Sequence, residues 1–209
     1  MIDSISIVIP SYNESQNINE IYQRTIGVIK KLDIKKYELI FVENGSRDNS
    51  LELLKKINSE NKFVKVISLS RNFGYQSAIA VGLKYSENDY ICVMDGDLQD
   101  PPEIISKFID KIKEGYDVVY GIRSKRKTSF LNKIFYNLFY VIYSKLSEID
   151  VPKKAGDFCL MNKKVVKNLN SLSEKNLFIR GLRSWVGFKQ IGIEYERDAR
   201  YAGKTNFSF

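Results

Sequence analysis

The run Tyr90-Ile-Cys-Val-Met-Asp-Gly-Asp-Leu-Gln-Asp-Pro-Pro-Glu103 limits what this chain can be more than any other stretch. Tyr90 to Met94 is apolar and reads as a buried strand. It stops at Asp95-Gly96-Asp97-Leu98-Gln99-Asp100, and Pro101-Pro102 then opens a helix, because proline is tolerated in a first helical turn. Three carboxylates and an amide are thereby crowded at the carboxyl end of a strand. Such crowding is costly unless a cation neutralises it, and the groups on offer are hard oxygens, which suit Mg²⁺ or Mn²⁺. The plainer reading is an acidic turn with ordinary helix capping, and a lone Asp-x-Asp would support no more. Here the neighbouring strands end in the same polar way, which argues against it.

Those neighbours recur at regular intervals. An apolar strand over 5–10 ends in Ser11-Tyr12-Asn13-Glu14-Ser15, and a helix follows over about 17–32 with Ile18, Ile21, Ile26 and Ile29 near helical spacing. A second strand over 37–42 ends in Glu43-Asn44-Gly45-Ser46, before a helix over about 49–58. A third over 64–69 ends in Ser70-Arg71-Asn72-Phe73-Gly74, and its helix over about 76–85 carries the small residues Ala78, Ala80 and Gly82, suited to close packing on a sheet. The organising strand has its helix over about 102–114, and a fifth strand over 117–121 runs into basic residues from Arg123. Alternation of this kind predicts an α/β fold, a parallel sheet with helices on both faces. Ligands of open α/β sheets bind outside the carboxyl ends of the strands. Each polar cluster sits at such an end, so one polar crevice is expected from at least four strands. Neither Gly-x-Gly-x-x-Gly after the first strand nor a Walker loop is present, so a nucleotide would be held by side chains and metal.

Composition narrows the chemistry. The 209 residues are 44% hydrophobic, enough for one core and a single domain. A net charge of +8 calls for an anionic partner such as a nucleotide or a phospholipid surface. The basic residues are spread and form no recognised nucleic-acid module, so nucleic acid is not expected. Histidine is absent, which excludes Ser-His-Asp chemistry, histidine bases and histidine-ligated metals together. Cys92 and Cys159 lie in apolar runs and read as small buried hydrophobes in a reducing compartment. No signal peptide is expected, since strand pattern starts at Ile5, and no run reaches the roughly 18 apolar residues of a spanning helix.

Past residue 123 the pattern changes. Residues 129–147 read as a long aromatic helix, in which Phe135, Leu138, Phe139, Ile142 and Leu146 would share a face and Tyr136, Tyr140 and Tyr143 another. Behind a basic run at 123–127, it suits an interfacial membrane helix, and equally a core or dimer-forming helix. Ala155 to Met161 reads as a strand with one acid, Asp157, which is expensive to bury unless it works or is paired with an arginine. Residues 177–186 predict a helix presenting Arg180 and Arg183, residues 190–197 an exposed strand, and residues 200–209 a basic loop.

Taken together, the pieces Ile-Val-Ile-Pro-Ser-Tyr-Asn-Glu14, Phe-Val-Glu-Asn-Gly-Ser46, Ser-Arg-Asn-Phe-Gly74, Met-Asp-Gly-Asp-Leu-Gln-Asp-Pro-Pro-Glu103, Gly-Asp-Phe-Cys-Leu-Met161, Phe-Ile-Arg-Gly-Leu-Arg-Ser-Trp-Val-Gly-Phe188 and Arg-Tyr-Ala-Gly-Lys-Thr205 resemble glycosyltransferase family 2. They run in the family's order. The Asp-Leu-Gln-Asp-Pro-Pro and Phe-Ile-Arg-Gly pieces resemble its polyprenyl-phosphate branch, relatives of dolichol-phosphate mannose synthase and the bactoprenol glucosyltransferases. The resemblance implies a GT-A, Rossmann-like, mostly parallel sheet, with a nucleotide-sugar-binding half over about 1–123 and an acceptor-binding half over about 124–209. It implies inverting transfer from a nucleoside diphosphate sugar, UDP-sugar favoured and GDP-sugar possible, to a polyprenyl phosphate.

By the same resemblance, Pro10, Tyr12, Glu14, Glu43, Asn44, Arg71, Asp95 and Gly96 line the donor, and Asp95, Asp97 and Gln99 hold Mg²⁺ or Mn²⁺. Asp157 and Asp97 are the catalytic acids, while Arg123 and Arg200 clamp phosphates unless they are plain surface arginines. An anionic membrane surface at the inner face of the cell membrane and a homo-oligomer are further implied. Two departures stand out: Glu43-Asn44 replaces the usual Asp-Asp of the base pocket, leaving base identity open, and Asn206 replaces a lysine. Relatives commonly continue into membrane-spanning helices where this sequence stops. A hydroxyl-bearing glycan acceptor and a non-catalytic nucleotide-sugar or membrane-docking module are the competing readings.

Overall fold

In a computed structural model, residues 2–124, 155–174 and 178–202 are described. The aromatic helix expected over 129–147, the basic residues 125–127 and Asn206 lie outside them. The elements are β1 (Ser4–Ser11), α1 (Ile18–Lys31), β2 (Lys36–Glu43), α2 (Ser50–Glu60), β3 (Val64–Ser68), α3 (Tyr75–Lys84), β4 (Tyr90–Val93), α4 (Ile104–Lys113), β5 (Val118–Arg123), β6 (Ala155–Asn162), α5 (Lys163–Asn170), α6 (Ile179–Trp185) and β7 (Gln190–Tyr195). The expected strands and helices up to residue 123 all form, with ends moved by a residue or two.

One seven-stranded sheet takes the order β3-β2-β1-β4-β6-β5-β7. Every neighbouring pair without β6 is parallel, and β6 runs antiparallel between β4 and β5. That reversal was not foreseen from the alternation of elements, and it matters for function. The other strands point their carboxyl ends to the crevice, whereas β6 begins there and brings Asp157 with it.

Side chains of β1 and β2 alternate between two cores. Ile5, Ile7, Ile9, Leu39 and Phe41 pack with α1, α2 and α4, while Val8, Ile40 and Val42 pack with α3, α5 and α6. Both faces being covered, β1 is buried at all eight positions. Fully burying one such isoleucine or phenylalanine contributes about 1.5–3 kcal/mol. The hydroxyl of Ser6, the polar residue in this strand's centre, donates to Glu38 Oε1 at 2.5 Å, so it is not left unpaired.

Close approach of α3 to β1 requires Gly82, where a Cβ would stand 2.2 Å from Val8 Cγ1. Gly45 has φ of +71°, and a Cβ there would meet the Arg71 carbonyl carbon at 2.4 Å, so the loops after β2 and β3 touch backbone to backbone. α5 was not anticipated. Asn162 caps it, accepting from the Val165 N–H at 3.0 Å, and Val165, Val166 and Leu169 bury its inner face. β7 is the edge strand beside β5, half-buried rather than exposed, with Tyr195 edge-on to Phe158 at 5.7 Å. Arg183, expected on the surface of α6, is instead 1% exposed and lies 4.7 Å over the Tyr120 ring. Arg183 follows the buried Ile179 by one helical turn, which places it on the inward face of α6. Among the described residues no helix is long and apolar enough to cross a membrane.

Candidate active site

The loop after β4 places Asp95, Asp97 and Asp100 within reach of three guanidinium groups. Asp95 Oδ1 accepts from the Tyr75 hydroxyl at the start of α3, while its Oδ2 lies 3.2 Å from Arg197 Nη2 and 3.5 Å from Arg123 Nη2. Asp100 is fully buried; its Oδ1 accepts from the Tyr195 hydroxyl at 2.5 Å and lies 3.3 Å from Arg197 Nε, with Arg123 Nη2 at 3.5 Å from Oδ2. Asp97 Oδ1 accepts from the Gln99 N–H at 3.1 Å, and Asp97 Oδ2 from Arg200 Nη2 at 3.1 Å. Leu98, at φ of +61°, makes the reversal that lets these acids face one way.

Electrostatics follow from that crowding. Burial, then the charges of Asp100 and Asp97, push the Asp95 carboxyl up to about 7, although Tyr75 and Arg123 pull it down. Burial also raises the Tyr75 and Tyr195 hydroxyls, further raised by Asp95 and Asp100, so both stay neutral donors. Burial pulls Arg123 down, but Asp100, Tyr195 and Asp95 outweigh it and keep the guanidinium charged.

At the end of β1, Glu14 is buried, accepts from Asn17 Nδ2 and lies 3.5 Å from Arg200 Nη2. Its carboxyl is raised by burial, against the pull of Asn17 and Arg200. The segment after β7 is tied across this end of the sheet: Asp198 N–H donates to the Gln99 carbonyl at 3.0 Å, and Asn17 Nδ2 to that of Ala202 at 3.3 Å. Gly96 lies under the end of β1, where a Cβ would come 3.0 Å from the Pro10 carbonyl oxygen. Tyr12 is half-buried on the same loop. Farther along, Glu43 Oε1 accepts from Ser46 N–H at 2.5 Å and Oε2 from Ser68 Oγ at 3.1 Å. Asn44 bonds Asn72 and the Phe73 N–H, and Arg71 stacks 4.1 Å over the Phe73 ring.

Asp157, near the start of β6, is held from two elements. Its Oδ2 accepts from Gln76 Nε2 at 3.2 Å, and its Oδ1 lies 3.2 Å from Arg180 Nε. The arginine partner considered from the sequence is therefore present. Arg180 Nη1 also donates to the Ala155 carbonyl at 2.9 Å. Adjacent residues of α3 thus reach two acids, Tyr75 to Asp95 and Gln76 to Asp157.

Comparison with known proteins settles the family. Residues 6–169 match the sequence model described as glycosyl transferase family 2. The chain belongs to that family. It is 49% identical to the uncharacterized glycosyltransferase YkcC of Bacillus subtilis, over 97% of this chain and 62% of that protein. It is 36% identical to the prophage bactoprenol glucosyl transferase homolog of Escherichia coli, over 98% of this chain and 67% of that one. The chain thus spans less than two thirds of YkcC. Among solved structures, glucosyl-3-phosphoglycerate synthase of Mycobacterium tuberculosis with Mn²⁺, UDP and glucosyl-3-phosphoglycerate matches at TM-score 0.63 and 19% identity, covering 96% of this chain and 73% of that one. The S. aureus TarS complex with UDP-GlcNAc matches at TM-score 0.62 and 16% identity, over 96% and 60% of the two chains. The fold is the GT-A arrangement of family 2 glycosyltransferases.

For a family 2 chain the acids fit a divalent cation in type, with a qualification set by their neighbours. Among the described residues no group of three or more acid, cysteine or histidine ligands forms a ready cage. Magnesium-type ions commonly take one or two carboxylates and complete their shell with substrate phosphates and water. Asp97 and Asp95 supply such carboxylates, but Arg123, Arg197 and Arg200 already offset their charge. Gln99 meets this cluster through its backbone, its N–H on Asp97 and its carbonyl on Asp198. Sequence reasoning placed Asp100 in the acidic cluster without a separate role, and did not assign Tyr75, Gln76, Tyr195 or Arg197 to the site. Arg197 had a local signal, a basic residue closing an alternating run at a strand end. The tyrosines had none, because each becomes polar in role only beside its aspartate.

Proposed function

We propose that this chain transfers a sugar from a nucleoside diphosphate sugar, a UDP-sugar in the first instance, to a polyprenyl phosphate with inversion at the anomeric carbon. The observation that carries it is the meeting of the Asp95, Asp97 and Asp100 loop with Arg123, Arg197 and Arg200 at the carboxyl end of the sheet. That crevice combines anchors for a cation with donors for phosphate. The lipid acceptor is supported by relatives such as the Shigella phage SfX bactoprenol glucosyl transferase, 35% identical over 98% of this chain.

In this reading Glu14, Glu43, Asn44 and Arg71 line the donor's base and ribose, with Pro10, Tyr12 and Gly96 shaping the floor. Asp97, Asp95 and Gln99 would hold Mg²⁺ or Mn²⁺, which when bound would offset charge building on the leaving diphosphate. Arg123 and Arg200 take phosphate oxygens, for which guanidinium forks are well shaped. The acceptor phosphate is anionic at neutral pH, so its oxygen attacks the anomeric carbon without prior proton removal. A bond from that oxygen forms as the bond to the diphosphate breaks. Asp157, paired with Arg180, orients the acceptor instead of acting as a strong base, and this favours phosphate over a hydroxyl acceptor. The membrane-surface partner, the inner-face location and the division into donor and acceptor halves near residue 123 belong to the same proposal.

Calorimetry with UDP- and GDP-sugars, with and without Mn²⁺, tests it, followed by turnover on undecaprenyl phosphate. Metal-dependent binding of one donor, lost in Asp97→Asn, is expected. Failure of every donor to bind the wild-type protein would leave the docking-module reading in its place.

A further inference from the structure

We infer that Gln76 is a positioning residue of the transfer site, holding the Asp157 carboxylate in register with the start of α6. The inference rests on the reading of Asp157 as an acceptor-orienting group. Gln76 Oε1 accepts from the Ile179 N–H at 2.9 Å, and Gln76 Nε2 donates to Asp157 Oδ2 at 3.2 Å. The first bond fixes the sense of the amide. Were it flipped, an NH₂ would face an N–H, and a carbonyl oxygen would face a carboxylate.

The partnership is asymmetric in a useful way. Arg180 Nε lies 3.2 Å from Asp157 Oδ1, yet neither atom finds a hydrogen-bonding alignment. Charge attraction of that kind falls off slowly with angle, so it stabilises the carboxylate without aiming it. Among the described residues Gln76 provides the directed bond, and Arg180 the charge. At its other end Gln76 serves the first turn of α6, whose cap position, Phe178, offers no side-chain bond. One side chain on α3 therefore links β6, which carries the acid, to α6, which carries Arg180. Misplacing an orienting group by about an ångström can cost on the order of a hundredfold in rate, so such a link bears directly on turnover.

Two substitutions separate positioning from capping. Gln76→Glu keeps an oxygen for the Ile179 N–H but sets a carboxylate against Asp157, whereas Gln76→Met keeps the volume and loses both bonds. With undecaprenyl phosphate and the donor chosen by calorimetry, both variants are expected to lose tenfold or more in kcat. Donor Kd and thermal midpoint should stay within twofold and a few degrees of wild type. In an Asp157→Asn background, adding Gln76→Met should cost no further activity, because Gln76 acts through that acid. A Gln76→Glu protein with wild-type kcat would reduce Gln76 to a helix cap and overturn the inference.

A crystal structure of Gln76→Met gives a readout free of turnover. The Asp157 carboxylate is expected to rotate into an aligned bond with Arg180, and an unmoved carboxylate would overturn the inference even if the protein transferred no sugar. Absence of wild-type turnover with every donor would instead count against the proposed function, leaving the crystallographic result to decide on Gln76.

Discussion

Arg200 Nη2 stands 3.1 Å from Asp97 Oδ2, although 103 positions separate the two residues in the chain. The guanidinium thus sits at the carboxylate expected to anchor the cation, and also 3.5 Å from Glu14. A cation arriving at Asp97 has to compete with it, and a diphosphate arriving with the cation offers Arg200 a new partner.

That competition has a measurable sign. Arg200→Gln should bind Mn²⁺ alone up to about fivefold more tightly, since a partly exposed pair of this kind is worth up to roughly 1 kcal/mol. The same variant should bind nucleotide sugar more weakly in saturating Mn²⁺, having lost a phosphate donor. Titration with Mn²⁺ by calorimetry or electron paramagnetic resonance reads the first effect. Unchanged Mn²⁺ affinity would show that Asp97 does not take the metal while paired to Arg200.

Asp157→Asn is expected to keep donor affinity and lose at least tenfold in turnover on the lipid acceptor. The amide retains the shape but weakens the pairing with Arg180 and gives Gln76 a poorer acceptor. Full activity would reduce Asp157 to a structural ion pair.

Gly82 makes a prediction about stability alone. Its replacement by alanine puts a methyl 2.2 Å from Val8 Cγ1, inside a packed core, so α3 has to lift from β1. Overpacking of this kind costs about 1–3 kcal/mol, read as a lowered urea midpoint at constant m value. An unchanged midpoint would mean that α3 is not clamped to the sheet.

Glu38 ties stability to acidity at the opposite end of the sheet from the site. Burial raises its carboxyl, but Lys65, Ser6 and the Glu87 N–H outweigh this and hold it below the ordinary 4.5. The unfolded chain therefore binds the proton first as pH falls. Stability from this carboxylate is fully present above 4.5 and is lost as pH drops through its lowered folded value. Glu38→Gln should flatten the acid limb of the stability curve, measured by denaturant midpoints against pH. An acid limb as steep as wild type's would assign that slope to other carboxylates.

Much of the architecture was legible because its signals are local. Isoleucines at helical spacing in α1 and the largely apolar runs of β1, β2 and β4, broken only by Ser6 and Glu38 in their interiors, need only neighbouring residues to declare themselves. The polar strand ends announced the crevice for the same reason. α5 was equally legible in principle, since Val165, Val166 and Leu169 follow Asn162 with a capping spacing, but its dense lysines masked the pattern. Arg183 was misplaced because charge predicts exposure only on average, and a ring such as Tyr120 can cover a guanidinium.

By itself, then, the sequence determined the alternation of strands and helices, the acids of the loop after β4 and the family to which these pieces belong. Tertiary structure alone decided that β6 turns antiparallel between β4 and β5, that Arg197 and Arg200 return to the acids of a distant loop, and that Gln76 reaches Asp157. Periodicity records which face of an element is buried, a property of residues a few positions apart. Strand order and ion-pair partners depend on packing and charge summed over residues far apart in the chain, 81 to 103 positions for the contacts of Gln76 with Asp157, Arg197 with Asp95 and Arg200 with Asp97, and no local pattern carries that sum.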